Sequence, residues 1–260
     1  MRTALISKIA AVAVCASLSF CSLSACGPKE VALDKEAILN FKAPEQDEEI
    51  AVITIKDYGD VKIKLFPEQC SKGVENFKTL IQNGYYDELI FHRVIDSFMI
   101  QGGDPTGTGG GGDDCWNDGG FAQTISPNLH HFAGAVAYAV APQVKLNGSQ
   151  FYIVTGSQAD ATTIQQIGQY YQKTFSSAVT NLYNAFGGAP HLDGDYEIFG
   201  QVFSGLEYCL DIQKVKTDAS DKPTKQVVIE KAQIVKYDGS GVNYLNYKGE
   251  PTVADVPNTK

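Results

Sequence analysis

Hydrophobic and polar positions along the chain follow two periods. In "IAVITIKDYGDVKIKLF" (Ile50 to Phe66), β-branched apolar residues alternate with polar ones on both sides of "DYGD". Alternation puts every second side chain on one face, and the Asp/Gly break between the runs marks a hairpin. "CSKGVENFKTLIQNG" then changes period. Val74, Phe77, Leu80 and Ile81 recur at helical spacing, which predicts an amphipathic helix that Ser71 caps and Gly84 ends. "LIFHRVIDSFMIQGGD", "AGAVAYAV", "SQFYIVTG", "YEIFGQVFSG" and "KQVVIEKAQIVKY" return to strand character, with "LEYCLDIQKV" a short helix before the last. From Ser157 to Pro190 the period lengthens again. Ile164, Ile167, Tyr170, Tyr171, Phe175, Val179, Leu182, Tyr183 and Phe186 suit one or two amphipathic helices. The Gly- and Asp-rich stretch Gly102 to Gly120 predicts an irregular loop, and the polar stretch after Tyr237 a loose tail. Many antiparallel strands, two short helices and no βαβ alternation predict a mainly β fold, a closed antiparallel β-barrel.

The first 26 residues stand apart. Arg2 and Lys8 precede "IAAVAVCASLSF", an apolar run too short to span a bilayer comfortably, which is the layout of an export signal. The run ends in "LSAC" (Leu23 to Cys26), which resembles the bacterial lipobox. That resemblance implies cleavage before Cys26 and lipidation of its sulfur, including a palmitate-type acyl chain; the plainer alternative is a secretory signal with an incidental cysteine. Stable anchoring needs more than one acyl chain, which a lipoprotein supplies. The expected organisation is a signal peptide at 1–25, the lipidated Cys26 and a tether to 48, a folded body at 49–238, and a C-terminal tail at 239–260. The expected location is the extracytoplasmic side of the cell membrane.

Charge narrows the partners. The chain carries a net −9 and no Lys- or Arg-rich block, which argues against a nucleic-acid binder. Loss of Arg2 and Lys8 with the signal leaves 19 basic against 30 acidic residues, or −11, a body that an anionic membrane repels. Cys70, Cys115 and Cys209 remain in the body. Three is odd and no C-x-x-C is present, which argues against zinc and fits free thiols.

"SFMIQGGDPTGTGGGGDD" (Ser97 to Asp114) holds a literal G-x-G-x-x-G at Gly107, Gly109 and Gly112. A dinucleotide cradle needs a helix N-terminus next; here "DDCWNDGG" follows, with carboxylates where phosphates would sit. The informative residues lie just upstream. "FHRVIDSFMIQGGD" meets every fixed position of F-H-R-x-I-x-x-F-M-x-Q-G-G-D, and so resembles the cyclophilin-type peptidyl-prolyl cis-trans isomerases. "VENF", "LHHFAGAVAYA", "NGSQFYI" and "HLDGDYEIFGQV" continue the likeness across roughly residues 50–237.

The resemblance implies an eight-stranded antiparallel barrel capped by two helices, and rotation about X-Pro bonds without metal or cofactor. It assigns Arg93 as the donor to the prolyl nitrogen and Gln101 as its catalytic companion. Phe98, Met99, Tyr152 and Leu192 form the proline pocket, and Ala139, Val140, Gln150, His191 and Tyr196 complete the substrate-binding set. His92 is structural. The expected partners are proline-containing segments of unfolded or exported proteins, bound by a monomer. Val140, His191 and Tyr196 replace the Asn, Trp and His common in the family, and Tyr152 replaces a Phe, adding a hydroxyl that needs a partner. The family crosses from Ser157 to Pro190 in a few residues; this chain is expected to place a helical insertion there, as a lid or docking surface beside the groove or as packing on the barrel side. A proline-binding module with little turnover is the alternative function.

Overall fold

The computed structural model describes residues 29–30, 38–140 and 145–251. The alternating run forms strands β1 (Glu49–Ile55) and β2 (Gly59–Leu65), an antiparallel hairpin that buries Ile53, Ile55, Val61 and Ile63. Helix α1 (Ser71–Gln82) lays Val74, Phe77, Leu80 and Ile81 on the sheet, all buried. Its start differs from expectation. Cys70, not Ser71, is the N-cap and makes no side-chain cap, because its thiol turns inward to the carbonyls of Phe66 (3.3 Å) and Ile198 (3.4 Å). Its end is as read: Gly84 adopts φ +68° just past the helix.

The other elements of the main sheet and its helices are β3 (Arg93–Ile95), β4 (Met99–Gly102), β5 (Ala135–Tyr138), β6 (Phe151–Val154), α2 (Ala161–Tyr171), α3 (Ser177–Phe186), β7 (Ile198–Ser204), α4 (Leu206–Ile212) and β8 (Ile229–Lys236). The eight strands form one antiparallel sheet in the order β8-β1-β2-β7-β5-β6-β4-β3. It curls around the core without the expected closing ladder between β3 and β8. The outer edge of the three-residue β3 is taken by a turn instead, with the Val94 amide donating to Asp221 O at 2.8 Å. The segments just before the two edge strands meet, through an Ile90–Val228 bridge and the Phe91 N–H to Val227 O bond at 2.9 Å.

Helices α2 and α3 form the insertion. Asp160 and Ser176 cap them, accepting from the amides of Thr163 (2.8 Å) and Val179 (3.2 Å). With Phe41 and Phe132 they build a second small core of Ile164, Val179, Leu182, Tyr183 and Phe186, in which Phe41 stacks on Phe186 at 3.9 Å. Tyr170 and Tyr171 do not join it; they are 81% and 46% exposed. The expected loose tail packs back as far as residue 251. Tyr244 sets its ring edge-on to Phe41, and the Tyr247 amide donates to Phe186 O at 2.8 Å.

Two buried carboxylates organise the space behind the sheet's open face. Asp193 accepts from His131 N (2.8 Å) and Nδ1 (2.9 Å) with one oxygen, and from His130 Nδ1 (2.7 Å) with the other. Burial alone would raise its pKa, but the two histidines outweigh that and hold it well below the usual carboxylate range. Burial pushes His131 down, so its neutral ring gives Nδ1–H to Asp193 and accepts the Tyr152 hydroxyl at Nε2, 2.9 Å away. Glu197 is also fully buried. Its Oε2 accepts from Thr124 N (2.6 Å) and Asn147 Nδ2 (2.7 Å), while Oε1 has no hydrogen-bond partner among the described residues. Burial pushes its pKa up to about 7 against those two bonds.

Asp193→Asn is expected to lower stability at neutral pH by about 3 kcal/mol, read from the denaturant midpoint, because it breaks a buried charged network. The deficit should shrink as pH falls below about 4, where the wild type loses the same contribution. Glu197 carries the opposite sign. Its contribution is full below its ordinary value of 4.5 and is lost as pH rises towards 7. Glu197→Gln should therefore gain on the wild type by up to about 3 kcal/mol across that window and level off above it, in urea titrations at stepped pH.

Candidate functional site

The pleat assembles the site. Arg93 pairs with Gln101 across β3–β4, and Gln101 with Tyr152 across β4–β6, so the three side chains share one row on one face. Ile95, Met99 and Val154 form the next row. Phe98 enters from the β3–β4 turn, where Ser97 takes φ +59° and its amide donates to Gln213 Oε1 at 3.0 Å. Leu192 arrives on a 3-10 turn, Pro190–Leu192, that leads directly into Asp193. That turn is clamped from outside by Lys173, the second residue after α2. Its ammonium, 2% exposed, donates to His191 O and pairs with Asp195 at 2.7 Å.

Together these elements surround an open groove of about 860 Å³. Arg93, Phe98, Met99, Gln101, Tyr152 and Leu192 line it, as do Ala139, Val140, Gln150 and Tyr196. His191 is not among them; its ring packs on that of Phe98, centroids 5.5 Å apart. Cys26 lies outside the described residues. His92 is buried, and burial pushes its pKa down.

Arg93 is half exposed at the mouth of the groove. Its Nε donates to Asp221 Oδ2 at 3.4 Å, and among the described residues its two terminal nitrogens make no hydrogen bond. An exposed pair of this kind adds little stability, about 0–1 kcal/mol. Gln101 Nε2 donates to Gln150 Oε1 at 2.9 Å, and Gln150 Nε2 donates on to the carbonyls of Gly109 (3.0 Å) and Gly111 (2.7 Å). The glutamines therefore tie the floor of the groove to the glycine loop.

That loop is wound on a protein carboxylate. Asp104, 1% exposed, accepts from the amides of Thr106 (2.7 Å), Thr108 (3.0 Å) and Gly109 (2.6 Å). Burial acts to raise its pKa; these amides and the Thr106 hydroxyl outweigh it and bring it down to about 2. Amides that a phosphate would need are thus already committed. Gly103 at φ +85° lets the chain leave β4, since a Cβ there would sit 2.4 Å from Ser149 O. The loop and residues 146–149 form the far half of the groove, with Tyr85 and Asp113. Tyr85, Leu146, Asp221 and the His131–Asp193 pair escape sequence reasoning. Asp221 is 128 residues from Arg93, and "LHH" and "LDG" carry no spacing that joins them.

The arrangement offers hydrogen-bond donors with free positions beside an apolar wall. Among the described residues no cluster of His, Cys, Asp or Glu has metal-holding geometry. The family described as "Cyclophilin type peptidyl-prolyl cis-trans isomerase/CLD" matches residues 50–234. A Staphylococcus haemolyticus protein named for peptidyl-prolyl cis-trans isomerase activity is 40% identical over 189 residues, which are 73% of this chain and 93% of that protein. A Staphylococcus aureus relative of the same name is 39% identical with the same coverage. The crystal structure of a Cryptosporidium parvum cyclophilin-type isomerase, determined in the presence of the dipeptide Ala-Pro, superposes with a TM-score of 0.57 and 33% identity. It covers 72% of this chain and 99% of its own. With the fold, the match over the body and these relatives in agreement, the chain belongs to the cyclophilin-type peptidyl-prolyl cis-trans isomerases, enzymes that rotate X-Pro peptide bonds.

Proposed function

We propose that Arg93 drives the rotation while Phe98, Met99, Tyr152 and Leu192 hold the proline ring. The planar X-Pro amide is stabilised by resonance, with a barrier of about 18–20 kcal/mol. Twisting the bond returns a lone pair to the prolyl nitrogen. A donor that meets this lone pair binds the twisted amide better than either planar isomer, which is the condition for catalysis. The unengaged terminal nitrogens of Arg93, beside an apolar wall and in one row with Gln101 and Tyr152, carry this reading. Gln101 and Gln150 hold the substrate backbone and orient the guanidinium, and Ala139, Val140 and Tyr196 border the substrate. No proton leaves or joins the substrate, and no covalent intermediate forms.

The proposed setting is the outer face of a membrane, where the enzyme serves exported proteins as a lipid-anchored monomer. Its support is the charged start, the apolar run and "LSAC" ending at Cys26, followed by a body whose net −11 keeps it off anionic lipid. The same reading takes the curled sheet as a closed barrel, supported by the meeting of residues 89–91 with 227–229.

Two outcomes are expected. In a protease-coupled assay on an Ala-Pro tetrapeptide, Arg93→Ala should lower kcat/KM by about 10²- to 10³-fold, the cost of removing a transition-state donor. Arg93→Lys should restore little of it, since a point charge cannot keep one donor on Asp221 and others on the substrate. Turnover untouched by Arg93→Ala would sink the mechanism. For the anchor, Cys26→Ser should move the protein from the membrane fraction to the soluble fraction, and mass spectrometry of the wild-type N-terminus should find a lipidated Cys26.

A further inference from the structure

The insertion carries an aromatic track that begins in the groove. Phe98 lines the groove, and its ring lies 5.5 Å from that of His191, tilted by 33°. His191 in turn lies 5.7 Å from Tyr171, again at 33°, and Tyr171 meets Tyr170 edge-on at 4.8 Å. The last two rings end α2; Tyr170 is exposed and Tyr171 is half exposed.

Their placement is fixed. Gln172 turns the chain sharply with φ +54°, and Lys173 then buries its ammonium against Asp195 and His191 O. The end of α2 and the turn that carries Leu192 are therefore one clamped unit. A tyrosine has only two side-chain torsions to order, so rings presented in this way bind with a small entropic penalty.

We propose that Tyr170 and Tyr171 extend the proline groove and select substrates with an aromatic or other large apolar side chain beside the proline. This rests on the reading of the groove as the proline site. The two ring steps outward from Phe98 are a span that four extended residues cover, so the contact falls within the same substrate segment. Aromatic chemistry fits better than cationic. The Lys173 ammonium already lies 5.8 Å from the Tyr171 ring centre, and a second cation on that ring would meet its charge.

The test uses the full chain and blocked hexapeptides with an Ala-Pro core, carrying Phe, Ala or Lys at each position flanking the proline in turn. Exchange NMR reads kcat/KM, and fluorescence anisotropy of labelled peptides reads Kd. The wild type should prefer Phe to Ala at one flanking position by about threefold to tenfold, the range of a single aromatic contact. The double variant Tyr170→Ala, Tyr171→Ala should lose that preference, chiefly in KM. Tyr171→Leu, which keeps an apolar contact with His191, should lower it as well and serves if the double variant is unstable. Absence of the preference in the wild type, a preference for Lys, or a Phe preference that survives both variants would overturn the proposal. The two readings fail separately. Arg93→Ala should keep the Phe preference in Kd while losing turnover. A wild type without turnover whose Phe preference still depends on Tyr170 and Tyr171 would remove the isomerase mechanism and leave the track standing.

Discussion

A carboxylate with no access to water can persist in a protein only if its surroundings supply what water would. Asp193 is such a group, and much of the groove is arranged around it. Its two oxygens take three donors from the consecutive residues His130 and His131, which fixes the chain entering β5. His131 passes the constraint on to the Tyr152 hydroxyl, so that ring faces the groove in one orientation. Asp193 itself follows Leu192, so the same contacts set the height of the opposite wall. One buried charge thus holds two walls of the pocket at a fixed separation. Lys173 closes the arrangement from the far side by binding His191 O and Asp195.

The other side of the groove is built on strands and a wound loop. Arg93, Gln101 and Tyr152 share a row because the register of β3, β4 and β6 leaves them no other place. The glycine loop is folded onto Asp104, which uses up the amides that make such loops look like phosphate cradles. Gln150 connects loop and row. On the proposed mechanism, donors held in this way need not reorganise when the substrate twists. The insertion has its own small core, and it is tied to the groove's walls by the ring contact of Tyr171 with His191, the clamp of Lys173 and the backbone bonds of Gly187 and Ala189 with Ala133 and His131.

Much of this was legible in the residues. The period-two runs and the face of α1 mapped directly onto elements, because burial on one side of a sheet or helix imposes the periodicity that was read. The motif around Arg93 likewise brought together residues that line one groove. Where the reading missed, the cause was a competing contact. Cys70 spends its thiol on two carbonyls rather than on a helix cap. Tyr170 and Tyr171 have helical spacing but fall past the edge of the small core, so Tyr170 stays in solvent and Tyr171 packs on His191 instead. The stretch after Tyr237 looked loose by composition, yet Tyr244 and Tyr247 find partners on Phe41, Phe186 and Gln158.

The sequence by itself determined the class of fold, the family and the residues that face the groove, since alternation, helical period and a long motif are all local along the chain. Only the tertiary structure decided what holds those residues in place. The Asp193–His131–Tyr152 chain, the buried Glu197 and the Lys173 clamp each join positions far apart in sequence. Their partners are chosen by burial, which leaves a charged or polar group no solvent and so makes whatever lies within about 3 Å its obligatory neighbour. No pattern along the chain encodes that choice.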